Sequence, residues 1–294
     1  MQKIIPHLWF DKDAREAALF YCGLFENSGI LHSAVLENTP SGDAEALTFM
    51  LDGFQIMALS AGPYFTFNPS FSFTVSCFSE DEVSRLWNAL SQNGEALMPL
   101  GEYPFSKRYG WIQDRYGLSW QLMLVEKEAN TQKIIPCLLF SNEACGKTEE
   151  AIRYYVNSFK HSEIHMISNY SDGEAAAEKA KVNYSLITLD GLQVQAMDNG
   201  YDVEFSFNEA VSFLVNCENQ EEIDDFWDKL SHVPEAEQCG WCKDKFGVSW
   251  QIVPAVMEEI MEKGTKEEIT RLVEIILTMK KIDIAAFERY MNRE

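Results

Sequence analysis

The sequence predicts an α+β fold made of two tandem copies of one domain, followed by a helical C-terminal tail. Three observations predict this arrangement. Short motifs recur in the same order in the two halves of the chain, apolar residues alternate with the periods of strands and helices, and Asp-Gly pairs mark hairpin turns. At 294 residues the chain is long enough for two ordinary domains.

The repeat is the clearest feature of the sequence. Lys3-Ile-Ile-Pro6 returns as Lys133-Ile-Ile-Pro136, Asp52-Gly53 as Asp190-Gly191, Phe67-Asn68 as Phe207-Asn208, Ser72-Phe73 as Ser212-Phe213, and Gly117-Leu-Ser-Trp-Gln121 as Gly247-Val-Ser-Trp-Gln251. A shared order of so many motifs indicates duplication. We therefore expect copy one over residues 1–127, copy two over 131–254 and a tail over 255–294.

Within copy one, the elements follow from local patterns. Strands are predicted at Ile4–Phe10, near residues 30–36, 46–51 and 54–60, at Phe71–Cys77, and near 108–113 and 118–124. Asp13 and Ser79 each precede a glutamate by three positions, which is capping-box spacing at the start of a helix. Each half of a copy thus contains a strand, a helix and two or three further strands, so the chain holds four such modules.

The copies differ in length at one place. Trp87 and Trp111 are 111 − 87 = 24 positions apart, whereas Trp227 and Trp241 are 241 − 227 = 14 apart. The extra residues of copy one include Gly94, Pro99, Gly101 and Pro104, a composition typical of a loop, either a lid over a pocket or a plain surface insertion.

The tail has helical patterning of its own. Thr265 and Glu268 form a capping box, and Asp283 can cap a last short helix. We expect the tail to pack on a domain or on a partner subunit.

Charge and cysteine content narrow the class of protein. The net charge is −22, and such a surface repels phosphate backbones, so nucleic acid and anionic membrane are unfavourable partners. The seven cysteines are odd in number, and no long apolar stretch follows Met1. We therefore expect an acidic cytoplasmic protein with reduced thiols and no membrane association.

The motifs resemble the PhnB-like family of the glyoxalase/bleomycin-resistance (vicinal oxygen chelate) superfamily, whose members are often labelled 3-demethylubiquinone-9 3-methyltransferase. The matching segments are Ile5-Pro-His-Leu-Trp-Phe-Asp11, the Asp52-Gly53 turn, Met57-Ala-Leu59, Phe67-Asn68, Cys239-Gly-Trp241 and Gly247-Val-Ser-Trp-Gln-Ile-Val-Pro254. The resemblance covers both copies. It implies a glyoxalase-like fold in which each copy is a pair of βαβββ modules around a cavity.

The superfamily also implies where a metal would bind. Its metal-dependent members take ligands from the first strand of a copy, the first strand of its second half and the last strand. These positions fall on His7, about Ser70 and Gln121 in copy one, and on Cys137, Ala210 and Gln251 in copy two. A neutral amide lacks the charge of a carboxylate ligand. We expect a degenerate triad and no cofactor; a divalent metal at His7 and Gln121 is the alternative.

Aromatic and amide side chains at matching positions of the two copies are candidates for lining a cavity. The full set of ligand-binding candidates is His7, Gln55, Trp111, Gln121, Cys137, Gln193, Trp241 and Gln251. Tryptophan and glutamine together could stack a flat molecule and fix it with hydrogen bonds. Core packing of the tryptophans is the alternative. No catalytic residue is identified, because no arrangement of nucleophile and base is visible.

Two further motifs favour no chemistry. Cys239-Gly-Trp-Cys242 has CxxC spacing, but we expect it on a strand rather than at the helix start that a redox thiol needs, and buried thiols are the simpler interpretation. No glycine-rich turn of the type that binds a methyl donor follows a predicted strand.

The function predicted from the sequence is the binding of a small molecule in a cavity with a degenerate metal triad. The alternative is an enzyme, either a metal-dependent lyase or dioxygenase relative or the methyltransferase of the family label. A structural role, with the duplicated chain acting as a built-in pseudodimer, is a third hypothesis, and a homodimer is compatible with all three.

Overall fold

The computed structural model describes residues 2–126 and 132–292. Its strands are β1 (Ile4–Phe10), β2 (Gly29–Thr39), β3 (Gly42–Leu51), β4 (Phe54–Ser60), β5 (Phe71–Cys77), β6 (Glu95–Tyr103), β7 (Ser106–Gln113), β8 (Ser119–Leu124), β9 (Ile134–Phe140), β10 (Glu163–Asn169), β11 (Val182–Leu189), β12 (Leu192–Asp198), β13 (Val211–Cys217), β14 (Trp241–Lys243) and β15 (Ser249–Pro254). Its α-helices are α1 (Ala14–Cys22), α2 (Glu80–Leu90), α3 (Thr148–Ser158), α4 (Gln220–Leu230), α5 (Val256–Lys263), α6 (Lys266–Ile276) and α7 (Ile284–Met291).

The order of elements confirms the predicted α+β fold. Three modules read strand, helix and three strands: β1 to β4, β5 to β8, and β9 to β12. The fourth, β13 to β15, has two strands after its helix in the part of the chain that the structure describes. The Asp52-Gly53 and Asp190-Gly191 pairs form the predicted hairpin turns, and all four residues have positive φ, as a type I′ turn requires.

The chain divides into two compact units, each with one sheet. Unit 1 comprises the chain up to Cys22, Asn27–Thr66 and the chain from Asn208 onward. Its seven-stranded sheet has the order β14-β15-β13-β1-β4-β3-β2, with β1 antiparallel to β13. This sheet therefore joins the first module of copy one to the second module of copy two. Helices α1 and α4 pack on its strands.

Unit 2 consists mainly of Phe67–Phe207 and has an eight-stranded sheet. Its order is β10-β11-β12-β9-β5-β8-β7-β6, with β5 antiparallel to β9. It joins the second module of copy one to the first module of copy two, and helices α2 and α3 pack on it. The compact units are thus assembled from halves of different sequence copies.

The repeated Asp-x-x-Gly-x-Ser-Trp segment forms the same turn in both units. The Asp114 carboxylate accepts hydrogen bonds from the backbone N–H of Leu118 (3.1 Å) and from the Trp120 indole (2.8 Å). Asp244 accepts equivalent bonds from Val248 (3.1 Å) and Trp250 (2.9 Å). Both tryptophans are fully buried. One carboxylate therefore closes the turn and satisfies the indole that burial would otherwise leave unpaired.

The prediction that the extra residues of copy one form a loop is wrong. Most of them form strand β6, which pairs with β7 at the edge of the unit 2 sheet. The pairing register shifts on both sides of Met98 and again beyond Gly101. An edge strand tolerates proline and glycine because its outer side forms no ladder hydrogen bonds and bulges absorb extra residues.

The tail packs on unit 1. Helix α6 begins with the predicted capping box, in which Glu268 N–H donates to Thr265 Oγ1 and Glu268 Oε2 accepts from Thr265 N–H. Asp283 caps α7 by accepting from Ala286 N–H at 2.9 Å. Helices α5 and α6 both contact β2. No helix within the described ranges combines the length and apolar character of a membrane span.

Candidate functional site

The candidate site of unit 1 lies on one face of its sheet. His7 stands opposite Ser212 on β13 and beside Met57 on β4. Gln251 on β15 donates from Nε2 to Ser212 Oγ at 2.9 Å, and Trp241 on β14 pairs with Gln251. Paired residues of adjacent strands share a face, as do residues two apart on one strand. We call this the His7 face; it carries Ile5, His7, Trp9, Met57, Ser212, Leu214, Trp241 and Gln251.

His7 is the unusual residue of this face. Its side chain is 6% exposed, and its Nδ1 is buried without a hydrogen-bond partner among the described residues. Burial lowers the pKa of His7 to about 4, because desolvation penalises the charged imidazolium. At neutral pH the ring is therefore neutral, and one ring nitrogen that could donate or accept is left unused.

Aromatic rings surround the imidazole. The edge-to-face contact between His7 and Trp241 has a centroid distance of 5.6 Å. Trp9, two positions after His7, lies 6.3 Å from Trp241 and 5.2 Å from Phe65, again at steep angles. The Trp9 indole is held by donation to the Gly62 carbonyl at 2.8 Å. Trp9, Phe65 and Trp241 are only partly buried, so this end of the His7 face retains accessible aromatic surface.

Unit 2 carries the corresponding Cys137 face. Cys137 stands opposite Ser72 and beside Gln195. Gln121 donates to Ser72 Oγ at 2.8 Å and accepts from the Tyr109 hydroxyl at 2.8 Å. Burial raises the pKa of Cys137 to about 12, so its thiol is protonated and is neither a nucleophile nor a thiolate ligand at neutral pH.

The two faces differ at one pair of side chains. On the Cys137 face, Thr74 donates to Gln195 Oε1 at 2.7 Å, and Gln195 Nε2 lies 3.3 Å from the Tyr184 hydroxyl. The corresponding positions of unit 1 are Leu214 for Thr74 and Met57 for Gln195. The side chains of Ser72, Thr74, Gln121 and Gln195 on the Cys137 face thus each form a hydrogen bond with another side chain. The buried Trp111 Nε1 of the same face has no partner among the described residues. Each face thus has one buried ring nitrogen without a partner among the described residues, and each has a Gln–Ser hydrogen bond. The difference is that the His7 face has apolar Leu214 and Met57 where the Cys137 face has the hydrogen-bonded pair Thr74 and Gln195.

The predicted grouping of His7 with Gln121 in one triad stays a prediction, because the two residues lie in the sheets of different units. His7 lies in the unit 1 sheet and Gln121 in the unit 2 sheet, so His7 shares its face with Gln251 and Cys137 shares its face with Gln121. The residues that pair with His7 and Cys137 are Ser212 and Ser72, whereas the predicted middle positions are Ala210 and about Ser70. The repeat had already paired Ser72 with Ser212, but the sequence contained no sign of their role.

The remaining candidates occupy other places. Gln55 lies two residues before Met57, and its amide donates to the Glu258 carboxylate on helix α5. Gln193 exchanges backbone hydrogen bonds with the Gln132 side chain. Gln55 is therefore not the strand partner of His7, and Gln193 is not the strand partner of Cys137.

The CxxC motif is a docking turn for the tail. Contrary to the expectation of a strand, Cys239 and Gly240 have positive φ and precede β14. Their backbone N–H groups donate to the carbonyls of Met279 and Lys280, each at 2.8 Å. Burial raises the pKa of Cys242, whose side chain is 1% exposed. Gly240 allows the turn, since a side chain there would approach the Ile252 carbonyl to 2.9 Å.

The side chains aligned on the two faces include no carboxylate. The aligned side chains are an imidazole, a hydroxyl and an amide in unit 1, and a protonated thiol, a hydroxyl and an amide in unit 2. Protein sites for such metals rely on imidazole, thiolate and carboxylate groups in combination. Across residues 2–126 and 132–292, no cluster of three or more His, Cys, Asp or Glu side chains is placed to hold a metal ion.

His7 makes the stability of the protein depend on pH. Its folded pKa of about 4 lies below the unfolded value of 6.5, so protonation favours the unfolded chain. As pH falls from 7.5 to 5.5, this residue should lower the free energy of unfolding by about 1 kcal/mol. Urea unfolding of the wild type and of His7→Leu at both values checks this. A variant that loses as much stability as the wild type would contradict it.

Two of the similar solved structures are bacterial proteins. The PhnB protein of Bacillus cereus is 42% identical over 42% of this chain and 100% of its own, with a TM-score of 0.40. The protein PA1353 of Pseudomonas aeruginosa is 26% identical over 43% of this chain and 100% of its own, with a TM-score of 0.38.

A third solved structure matches most of the chain. Glyoxalase I from Zea mays is 11% identical over 88% of this chain and 95% of its own, with a TM-score of 0.56, which shows a shared fold. No curated protein matches the sequence. The sequence model of the 3-demethylubiquinone-9 3-methyltransferase family matches twice, over residues 2–123 and 132–253. The chain therefore belongs to this PhnB-like family, as a tandem member with the glyoxalase fold.

Proposed function

We propose that this protein binds a small, largely apolar molecule on the His7 face of unit 1 without a metal. The observation that carries the proposal is the buried, unpartnered Nδ1 of His7. An unsatisfied buried polar group costs roughly 1–3 kcal/mol. A hydrogen bond between a ligand and His7 Nδ1 would recover that cost. A buried polar atom without a partner is therefore a reasonable position for a ligand contact.

The surroundings of His7 suggest the chemistry of the ligand. Trp9, Phe65 and Trp241 offer partly exposed ring surface, which favours a flat or aromatic molecule. The neutral imidazole favours a hydroxyl or amine over a carboxylate, because it has no charge to pair with an anion. The net charge of −22 also disfavours anionic ligands. A neutral phenol combines the favourable features.

The family name does not extend to this site. A methyl donor usually binds at a glycine-rich turn of a doubly wound parallel sheet. Both sheets here are mixed, with antiparallel pairs at their centres.

All seven cysteines are free of disulfide bonds, which supports our proposal that the protein works in the reducing cytoplasm.

Two titrations of the purified full-length chain test the proposal. Fluorescence titration with the neutral probe N-phenyl-1-naphthylamine should show saturable binding that 4-alkylphenols reverse by competition. Calorimetry with Zn²⁺, Ni²⁺ and Mn²⁺ should show no stoichiometric site, and EDTA should leave probe binding unchanged. Tight binding of one metal ion that is lost in His7→Ala would overturn the metal-free site. Absence of any saturable probe or phenol binding would overturn the binding function.

A further inference from the structure

Helix α5 of the tail contacts the same face of unit 1 that carries His7. Glu258, in its first turn, accepts a hydrogen bond from the Gln55 side-chain amide on β4. The other carboxylate oxygen of Glu258 accepts from Asn216 Nδ2 on β13 at 3.1 Å. Gln55 and Asn216 lie on either side of β1, since β4 and β13 are its two neighbours. Glu258 thus links the two strands that flank the strand of His7.

An apolar contact lies beside this link. Met257 packs with Met57 against the buried residues Ile5, Leu214 and Val253. Ile5 is two residues before His7, Leu214 is two after Ser212, and Val253 is two after Gln251, so all three lie on the His7 face. The helix therefore covers Ile5, Leu214 and Val253, which lie two residues along their strands from His7, Ser212 and Gln251. Met57 contacts this cluster and is also the strand partner of His7.

We infer that helix α5 is the end wall of the ligand site on the His7 face, and that Met257 sets the length of the ligand. This inference rests on the proposed function. A ligand that hydrogen-bonds to His7 and contacts the aromatic rings at one end would meet Met57 and Met257 at the other. The wall is apolar, so the part of the ligand that reaches it is a hydrocarbon group.

The same wall would not suit unit 2. Where unit 1 has Leu214 and Met57, unit 2 has Thr74 and Gln195, which hydrogen-bond to each other at 2.7 Å. A methionine packed over Thr74 and Gln195 would bury polar atoms of these side chains without giving them a hydrogen-bond partner, which costs free energy. The tail thus makes the two faces functionally different and assigns the apolar ligand to unit 1.

A series of 4-alkylphenols from phenol to 4-hexylphenol, competing with N-phenyl-1-naphthylamine on the full-length chain, tests the wall. For the wild type, affinity should rise about fourfold per methylene, the value for burial of one CH₂ group, and then stop rising when the alkyl chain meets Met257. Met257→Ala should move that limit two or three carbons further, and Met257→Trp should move it to shorter chains. Met261→Ala, the same change one turn later on α5, is the matched control and should leave the limit in place.

The outcomes separate the two proposals. If phenols bind and binding requires His7, but Met257→Ala and Met257→Trp leave the length limit of the wild type unchanged, the end wall is wrong and the binding site stands. A limit that moves equally in Met261→Ala also overturns it, because the effect would then belong to the helix as a whole. If no phenol displaces the probe from any of these proteins, the proposed function and the wall both fail.

Discussion

Replacing Asp198 with alanine is expected to lower the free energy of unfolding by roughly 4 kcal/mol, the largest effect on stability of any substitution considered. The Asp198 carboxylate is fully buried. One oxygen accepts from Gly146 N–H and Thr148 Oγ1, both at 2.7 Å. The other accepts from Lys181 N–H at 3.0 Å and Val182 N–H at 2.9 Å. Asp198 therefore joins the end of β12 to the start of α3 and the start of β11.

The size of the effect follows from the donors left behind. Without the carboxylate, buried N–H groups lose their acceptor, and each such group costs roughly 1–3 kcal/mol. Urea unfolding followed by circular dichroism measures the change, with the exposed neighbour Asp202→Ala as the control, which should change stability by less than about 0.5 kcal/mol. Asp198→Asn should lie between them, since it keeps one acceptor oxygen. A loss below about 1 kcal/mol in Asp198→Ala would show that the network is not needed.

Replacing His7 with leucine is expected to weaken phenol binding at least tenfold while leaving the unliganded protein as stable or more stable. A lost ligand hydrogen bond in a buried site corresponds to about 1.4 kcal/mol or more, which is a factor of ten. The same substitution removes a buried nitrogen that has no partner among the described residues, so stability at neutral pH should rise by about 1 kcal/mol. Opposite effects on binding and stability are the signature of a residue retained for function.

Two controls make the result specific. Cys137→Ser changes the corresponding position of unit 2 and should leave phenol affinity unchanged. His232→Gln changes an exposed histidine and should alter neither property. Competition titration gives the affinities, and urea unfolding at pH 7.5 gives the stabilities. If His7→Leu binds phenols as well as the wild type does, the ligand does not contact His7.

Much of the fold could be predicted because its signals are local. The Asp52-Gly53 turn needs only two residues with positive φ, and the Thr265 capping box needs only one turn of helix. The repeated Asp114 and Asp244 turns use hydrogen bonds that span six residues. Such features leave a pattern in a short stretch of sequence. The duplication repeats each pattern and thereby strengthens it.

The errors arose where hydrogen bonds to another segment determined the backbone conformation. Pro99 and Gly101 predict a loop, because both residue types are typical of loops, but pairing with β7 makes the segment an edge strand. Cys239 was expected on a strand, but its turn is determined by carbonyls of the tail, some 40 residues later. In both cases backbone hydrogen bonds to another segment, a neighbouring strand for β6 and the distant tail for Cys239, outweighed the preference of the local composition.

The sequence by itself determined the four modules, their strands and helices, and the presence of His7, Gln121, Cys137 and Gln251 as candidates. Only the tertiary structure decided which of them share a sheet face. His7 meets Ser212 and Gln251 because β1 pairs with β13 across the two copies. The physical reason is that strand pairing uses backbone groups, which are the same in every residue, so the sequence of a strand does not state which distant strand it joins.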